Sequence, residues 1–249
     1  MSESESTTSS TDSEEQHNDG GQQGRQVAKR AFAAEINHAT FVFKQSDEER
    51  APNFALLPSG EVANRYFIVG TVTEVNDVGN DDEYWQARVV DPTGTMFVYA
   101  GQYQPQAAAF LSSLEPPAYV AVTAKPATFE SEGEIYVSLR PETITRVDEA
   151  TRDRWVAETI ERTETRLDAY EQGDSQNEFV AMAREQYDTD PVTYRETVNE
   201  AREDLGMDSV PVASDDSDPD SDDVEAEFEE QAVDEVEIAT AVANADMEE

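Results

Sequence analysis

The tetrapeptide Asp91-Pro92-Thr93-Gly94 stands between two runs of alternating side chains, Tyr84–Val90 and Thr95–Gly101. Asp at the first position, Pro at the second and Gly at the fourth is the type I turn preference, so the two runs predict an antiparallel hairpin. With Val90 paired to Thr95, Arg88 faces Phe97, Gln86 faces Tyr99 and Val89 faces Met96. Side chains alternate across a strand. One face then carries Trp85, Ala87, Val89, Met96 and Val98, which is apolar and predicts core. The other carries Tyr84, Gln86, Arg88, Phe97 and Tyr99, and is outward, aromatic and basic.

Three more runs flank this hairpin. Tyr66–Val75 precedes it, with Gly70 at its middle as a place for strong bending. Ala118–Ala124 and Glu134–Arg140, continuing to Val147, follow it and are joined across Glu130-Ser131-Glu132-Gly133. Between the third and fourth runs lies Gln104–Leu114, a short helix with Pro105 in its first turn. Strand, strand, strand, helix, strand, strand is the order of an oligonucleotide-binding (OB) fold, a five-stranded barrel. A Tudor- or SH3-like barrel lacks a helix at that place.

The rest of the chain divides around the barrel. The expected parts are an acidic leader (1–24), an N-terminal arm (25–61), the barrel (62–147), a helical region (148–205) and an acidic tail (206–249). Within the arm, residues 25–38 have helical composition, Thr40–Lys44 reads as a short strand, and Pro58-Ser59-Gly60 as a turn. Asp148 predicts the cap of a helix running to about Gln172. Its seam of Val156, Ile160, Thr163, Leu167 and Tyr170 steps by four and three. Weaker helices follow over Asn177–Asp188 and Val192–Leu205, separated by Pro191. The leader holds 6 acids and no base, residues 205–249 hold 17 acids and no base, and 20 of the 21 aromatics lie between them. Segments so charged and so poor in apolar groups are expected to be disordered.

Composition closes several functional classes. There is no Cys, and the histidines are His17 and His38, so thiol chemistry, a zinc ribbon and a His-based triad are excluded. No Gly-rich phosphate loop occurs, and the chain is expected to be no enzyme and to need no cofactor. Asp77, Asp81, Asp82 and Glu83 resemble a metal cluster on paper, but without EF-hand spacing they read as a solvated loop. The acidic, polar start is unlike a secretory signal, and no run approaches the roughly 20 apolar residues of a membrane span, so a cytoplasmic protein is expected. The net charge is −39, with 14 Arg against Lys29, Lys44 and Lys125. Self-repulsion of that size is tolerable where molar salt shortens the Debye length to about 3 Å. Such a surface resembles proteins of salt-accumulating archaea; an acidic chaperone or a nucleic-acid mimic is the alternative.

The candidate site follows from the outward face. Bases of any identity stack on Phe or Tyr, and Arg88 can meet a phosphate or a base. In the fifth run Ile135, Val137 and Leu139 are expected inside, with Tyr136, Ser138 and Arg140 outside. The expected nucleic-acid residues are therefore Tyr84, Arg88, Phe97, Tyr99, Lys125, Tyr136 and Arg140. Protein contact is the competing use of the same face. Tyr103 and Trp85 are expected in the core.

The stretches Arg25–Glu35, Tyr84–Gly94 and Phe97–Pro105 resemble the haloarchaeal replication protein A-associated family, as do Pro116–Val122, Val137–Glu142 and Ala150–Trp155. The resemblance spans about residues 25–172. It implies an OB-fold partner of replication protein A, bound to single-stranded DNA in replication, repair and recombination, nucleoid-associated and hetero-oligomeric. It also implies that Val156, Ile160, Leu167 and Tyr170 join subunits, or else pack on the chain's own barrel. The rivals are an adaptor whose barrel contacts only its replication protein A partner, and an RNA-binding OB protein.

Overall fold

The computed structural model describes residues 26–45, 51–80, 82–131, 133–173, 177–188 and 190–210. The leader and nearly all of the tail, for which disorder is expected, lie outside these residues, as do residues 46–50 of the charged loop in the arm.

The hairpin forms in the expected register. Strands β5 (Trp85–Asp91) and β6 (Gly94–Ala100) pair Val90 with Thr95, Arg88 with Phe97 and Gln86 with Tyr99. With β4 (Tyr66–Asp77), β7 (Ala118–Ser131) and β8 (Glu134–Arg146) they close a barrel in the order β4-β5-β6-β8-β7. A helix, α2 (Pro105–Ser112), lies between its third and fourth strands. This is an OB-fold. Gly70 lets β4 pass close to β5: a Cβ there would stand 2.6 Å from the Val90 carbonyl oxygen. The ladder also shifts register between Val72 and Glu74, which adds to the bend that closure requires.

The arm departs from the expectation of a helix over 25–38. Among the described residues of that stretch only α1 (Ala33–Asn37) is helical. Ahead of it Lys29 forms a parallel bridge with Tyr66, its N–H donating to the Arg65 carbonyl at 3.0 Å and its carbonyl accepting from Phe67 at 2.8 Å. The start of β4 has no β5 partner, and this open edge competes successfully with weak helical propensity. The helix begins where the hairpin turn caps it. Asp91 Oδ2 accepts from the Ala33 N–H at 2.7 Å, and Thr93 Oγ1 from that of Ala34 at 3.2 Å. Burial pushes the Asp91 carboxyl up to about 6, against hydrogen bonds from Thr93 and Ala33 that favour its charge.

Strands β1 (Val42–Lys44), β2 (Asn53–Leu56) and β3 (Val62–Ala63) make a small antiparallel sheet. After the barrel come α3 (Glu149–Glu171), α4 (Glu178–Gln186) and α5 (Pro191–Asp204). Asp148 caps α3, accepting from the Thr151 N–H at 2.9 Å, and the Thr151 hydrogen bonds hold its carboxyl below the usual range.

One buried apolar cluster runs through arm, barrel and helices. It joins Phe32 and Ile36 of the arm to Ile68, Val89, Val98 and Leu139 of the barrel, and to Trp155, Val156, Ile160 and Val198. Trp155 anchors the junction, meeting the Phe32 ring edge-on at 5.7 Å and donating from Nε1 to the Phe67 carbonyl. The α3 seam is therefore internal. Val156, Ile160 and Leu167 are buried within this chain, while Tyr170 packs with Leu56, Val180 and Ala183 in a second cluster. The expectation that these four residues join a partner is corrected: the chain's own arm and helices already cover the stripe.

A buried polar network clasps the arm to α3. Arg166 donates to Glu35 Oε2 at 2.6 Å, Ser59 Oγ at 3.2 Å and the Arg30 carbonyl at 3.2 Å, and pairs with Glu61 at 3.3 Å. Burial opposes the Arg166 charge, but Glu35 and Glu61 raise its pKa. Among the described residues no helix is long and apolar enough to cross a membrane.

Candidate nucleic-acid interface

The outward face of the hairpin does not stand open as alternation alone suggests. Gln86 is buried and donates from Nε2 to the Tyr99 hydroxyl at 2.8 Å. Tyr99 is 1% exposed. The cover comes from two directions. Tyr84 stacks on Tyr99 with ring centroids 5.8 Å apart and planes at 21°. From the other side come the paired extensions of β7 and β8.

Beyond Ala124 strand β7 loses its β4 partner and continues with β8 as a two-stranded arm, pairing Lys125 with Arg140, Ala127 with Ser138 and Phe129 with Tyr136. Phe129 and Tyr136 stack at 5.5 Å and 21°. They pack into one cluster with Tyr99, Phe97, Tyr84 and Val78. Tyr99 and Phe129 are buried, each with a half-buried ring stacked on it, Tyr84 and Tyr136 respectively, and Phe97 is half-buried in the same cluster. Offset stacks of this kind are favourable beyond the area they bury.

Tyr84 owes its place to the loop before it. Asp77 Oδ1 accepts from the N–H groups of Gly79 at 3.1 Å and Tyr84 at 3.0 Å, and the Val78 N–H donates to the Tyr84 carbonyl at 2.8 Å. The acidic stretch thus includes a loop-closing carboxylate. Asp81 lies outside the described residues, and among those described no group of three or more metal-ligating side chains gathers.

The structure thus brings four of the seven expected residues, Tyr84, Phe97, Tyr99 and Tyr136, into one cluster, with Tyr99 as its buried floor. Arg88 lies half-buried on the same face, between Phe97 on β6 and Glu74 on β4. Lys125 is exposed and Arg140 half-buried, paired at the base of the arm.

Three placements are corrections. Tyr103 is 66% exposed rather than core, because it precedes α2 in a surface turn. Ile135 is 53% exposed, because the arm carries it past the end of the barrel; Leu139 alone of its set is fully inside, Val137 being partly buried. Ser138 is buried rather than outward, donating to the Ala127 carbonyl across the arm. Trp85 packs against the core at the barrel rim and is only partly buried.

The sequence reading missed Phe129. Pro126 signals the end of a strand, yet here β7 has only β8 beside it, the edge situation in which proline is tolerated.

No protein-family model matches the sequence. No curated protein matches it. Solved structures that resemble it each cover 34% of this chain. They include the second single-stranded DNA-binding protein of Mycobacterium smegmatis, at 19% identity over 86% of that chain with a TM-score of 0.29. The mitochondrial single-stranded DNA-binding protein of S. cerevisiae gives 20% identity over 94% of that chain and a TM-score of 0.28. OBody NL8, in complex with hen egg-white lysozyme, gives 17% identity over 94% of that chain and a TM-score of 0.29.

Proposed function

We propose that this chain binds single-stranded DNA through the aromatic face of its OB barrel, without catalysis. It serves as a subunit or accessory of a replication protein A complex in a salt-accumulating archaeon, in replication, repair and recombination. The observation that carries the binding reading is the aromatic cluster, in which half-buried Tyr84 stacks on buried Tyr99 and half-buried Tyr136 on buried Phe129, with Phe97 half-buried beside them. Rigid rings with one face supported are what unstacked bases need, at roughly 1–3 kcal/mol per base. Arg88, Lys125 and Arg140 border the cluster and suit phosphate or base contact. The replication protein A context rests on the resemblance of residues 25–172. The partner meets a surface other than the α3 seam, which the chain itself covers.

Fluorescence anisotropy with a labelled single strand over a KCl series tests the binding. Affinity is expected to persist toward molar KCl, and Tyr84→Ala with Phe97→Ala to cost about 2–5 kcal/mol on any base sequence. Duplex DNA, its bases already stacked, is expected to bind far less. A steep fall in affinity with salt, or an unaffected double variant, rejects the reading. The adaptor alternative is favoured by one observation, that Tyr99, one of the two β6 rings expected to be exposed, is buried. Pull-down at molar salt separates the two: an adaptor retains a protein partner and no strand.

A further inference from the structure

Resting on the strand-binding reading above, the geometry points to Gly101 as a positioning residue: the missing side chain at this position, with the Tyr99 ring beneath, sets the Tyr84 ring as a stacking platform. Gly101 directly follows β6 and extends the hairpin register by one pair, opposite Tyr84. A Cβ at Gly101 would stand 2.6 Å from Tyr84 Cδ2 and 3.1 Å from Cε2, and the next nearest atom is the Glu83 carbonyl oxygen at 3.8 Å. Carbon atoms in contact settle at about 3.5–4.0 Å. An alanine here therefore collides with one thing, the Tyr84 ring, and with no strand of the barrel.

The backbone that carries the ring is held in place, and the ring itself lies against Tyr99. Tyr84 is tied through its N–H to Asp77 and through its carbonyl to Val78. Its ring lies nearly parallel to Tyr99, whose hydroxyl is fixed by Gln86. Residue 101 thus brings no side chain of its own to the outer face, yet it decides the tilt of the ring that would meet a strand. Stacking depends on overlap of planes, so a tilted platform loses affinity for bases and not for phosphates.

The full-length chain is titrated against short fluorescein-labelled oligo(dT) and against the same backbone lacking bases. Gly101→Ala is expected to weaken oligo(dT) binding about tenfold, as Tyr84→Ala does, which is within the worth of one stacked base. In a Tyr84→Ala background the glycine substitution is expected to do nothing further, and abasic strands are expected to bind all variants alike. Thermal melting checks that each variant folds. Should Gly101→Ala fail to fold, Tyr99→Leu removes the support from below and is held to the same cycle with Tyr84→Ala. Wild-type affinity in Gly101→Ala, or an equal loss with and without the Tyr84 ring, overturns the assignment while leaving strand binding intact. A wild-type protein that binds neither strand overturns the strand-binding reading and this assignment with it.

Discussion

Arg166→Met is the perturbation that most directly tests how arm, turn and helix are held together. The guanidinium spans α3, the Pro58-Ser59-Gly60 turn and the arm, with contacts to Glu35, Ser59, Glu61, Thr163 and the Arg30 carbonyl. Its side chain is 10% exposed and that of Glu35 2%. Methionine keeps most of the stem's volume, so the loss is mainly electrostatic. Removing one member of a buried pair leaves the other charged and desolvated, at about 3–5 kcal/mol. Replacing both, as Glu35→Met with Arg166→Met, removes the stranded charge and is expected to recover most of that cost. Urea unfolding followed by tryptophan emission, with Trp155 in the adjoining core, gives the four corners of the cycle. Because the pair is buried, the cost is expected to hold from dilute to molar KCl. A single-variant cost under about 1 kcal/mol, or a double variant as unstable as the two singles added, refutes the account of Arg166 as the clasp.

Asp91 gives a pH signature. Its carboxyl is raised from the ordinary 3.8 to about 6, so its contribution to stability is present below pH 4 and lost as pH rises through 6. At about 1.4 kcal/mol per pH unit, the stability difference between wild type and Asp91→Asn is expected to change by about 2–3 kcal/mol between pH 4 and pH 7.5. Parallel urea profiles at the two pH values would rule this out. Ile160→Ala and Leu167→Ala are each expected to cost about 2–4 kcal/mol of stability in the chain alone. If urea melts move less than 1 kcal/mol, the seam is not core and a partner interface there returns. Tyr103→Ser, at an exposed position, is expected to shift stability by no more than about 0.5 kcal/mol, and calorimetry reads it.

The hairpin was legible because two independent signals agreed there, alternation and turn chemistry, and together they impose one pairing. The Val90–Thr95 register follows from the turn alone and recurs in the structure. What alternation cannot say is what lies over an outward face. Tyr99 points outward and is buried all the same, because Tyr84 and the β7–β8 arm fold over it. The arm was invisible for a related reason: Pro126 argues locally against a strand, and only the loss of the β4 neighbour makes the residue acceptable. The same limit applies to α3. Its stripe is plain in the spacing, but whether an apolar stripe meets its own chain or another is a matter of where Phe32, Leu56 and Val198 arrive from elsewhere in the sequence. Over residues 26–32 the helical reading failed where an unpaired strand edge offered the backbone better partners than its own carbonyls.

The distribution of arginine explains how so acidic a chain could hold a polyanion at all. Arg30, Arg65, Arg152, Arg166, Arg195 and Arg202 are each committed to acids of the chain itself. Arg184 lies over the Tyr170 ring. Six of the 14 arginines therefore hold the chain's own elements together, while Arg88, Lys125 and Arg140 are the cations of the proposed strand-binding face. Three cations can neutralise at most three phosphates, a salt slope of about −2 for a single strand. Repulsion from a net charge of −39 acts in the opposite sense, weakening as salt is added. If the chain binds a strand as proposed, the two dependences offset one another, and what remains is contact between bases and rings, which screening does not reach. On the proposed reading the electrostatic terms set where binding is permitted, and the aromatic cluster sets how strong it is.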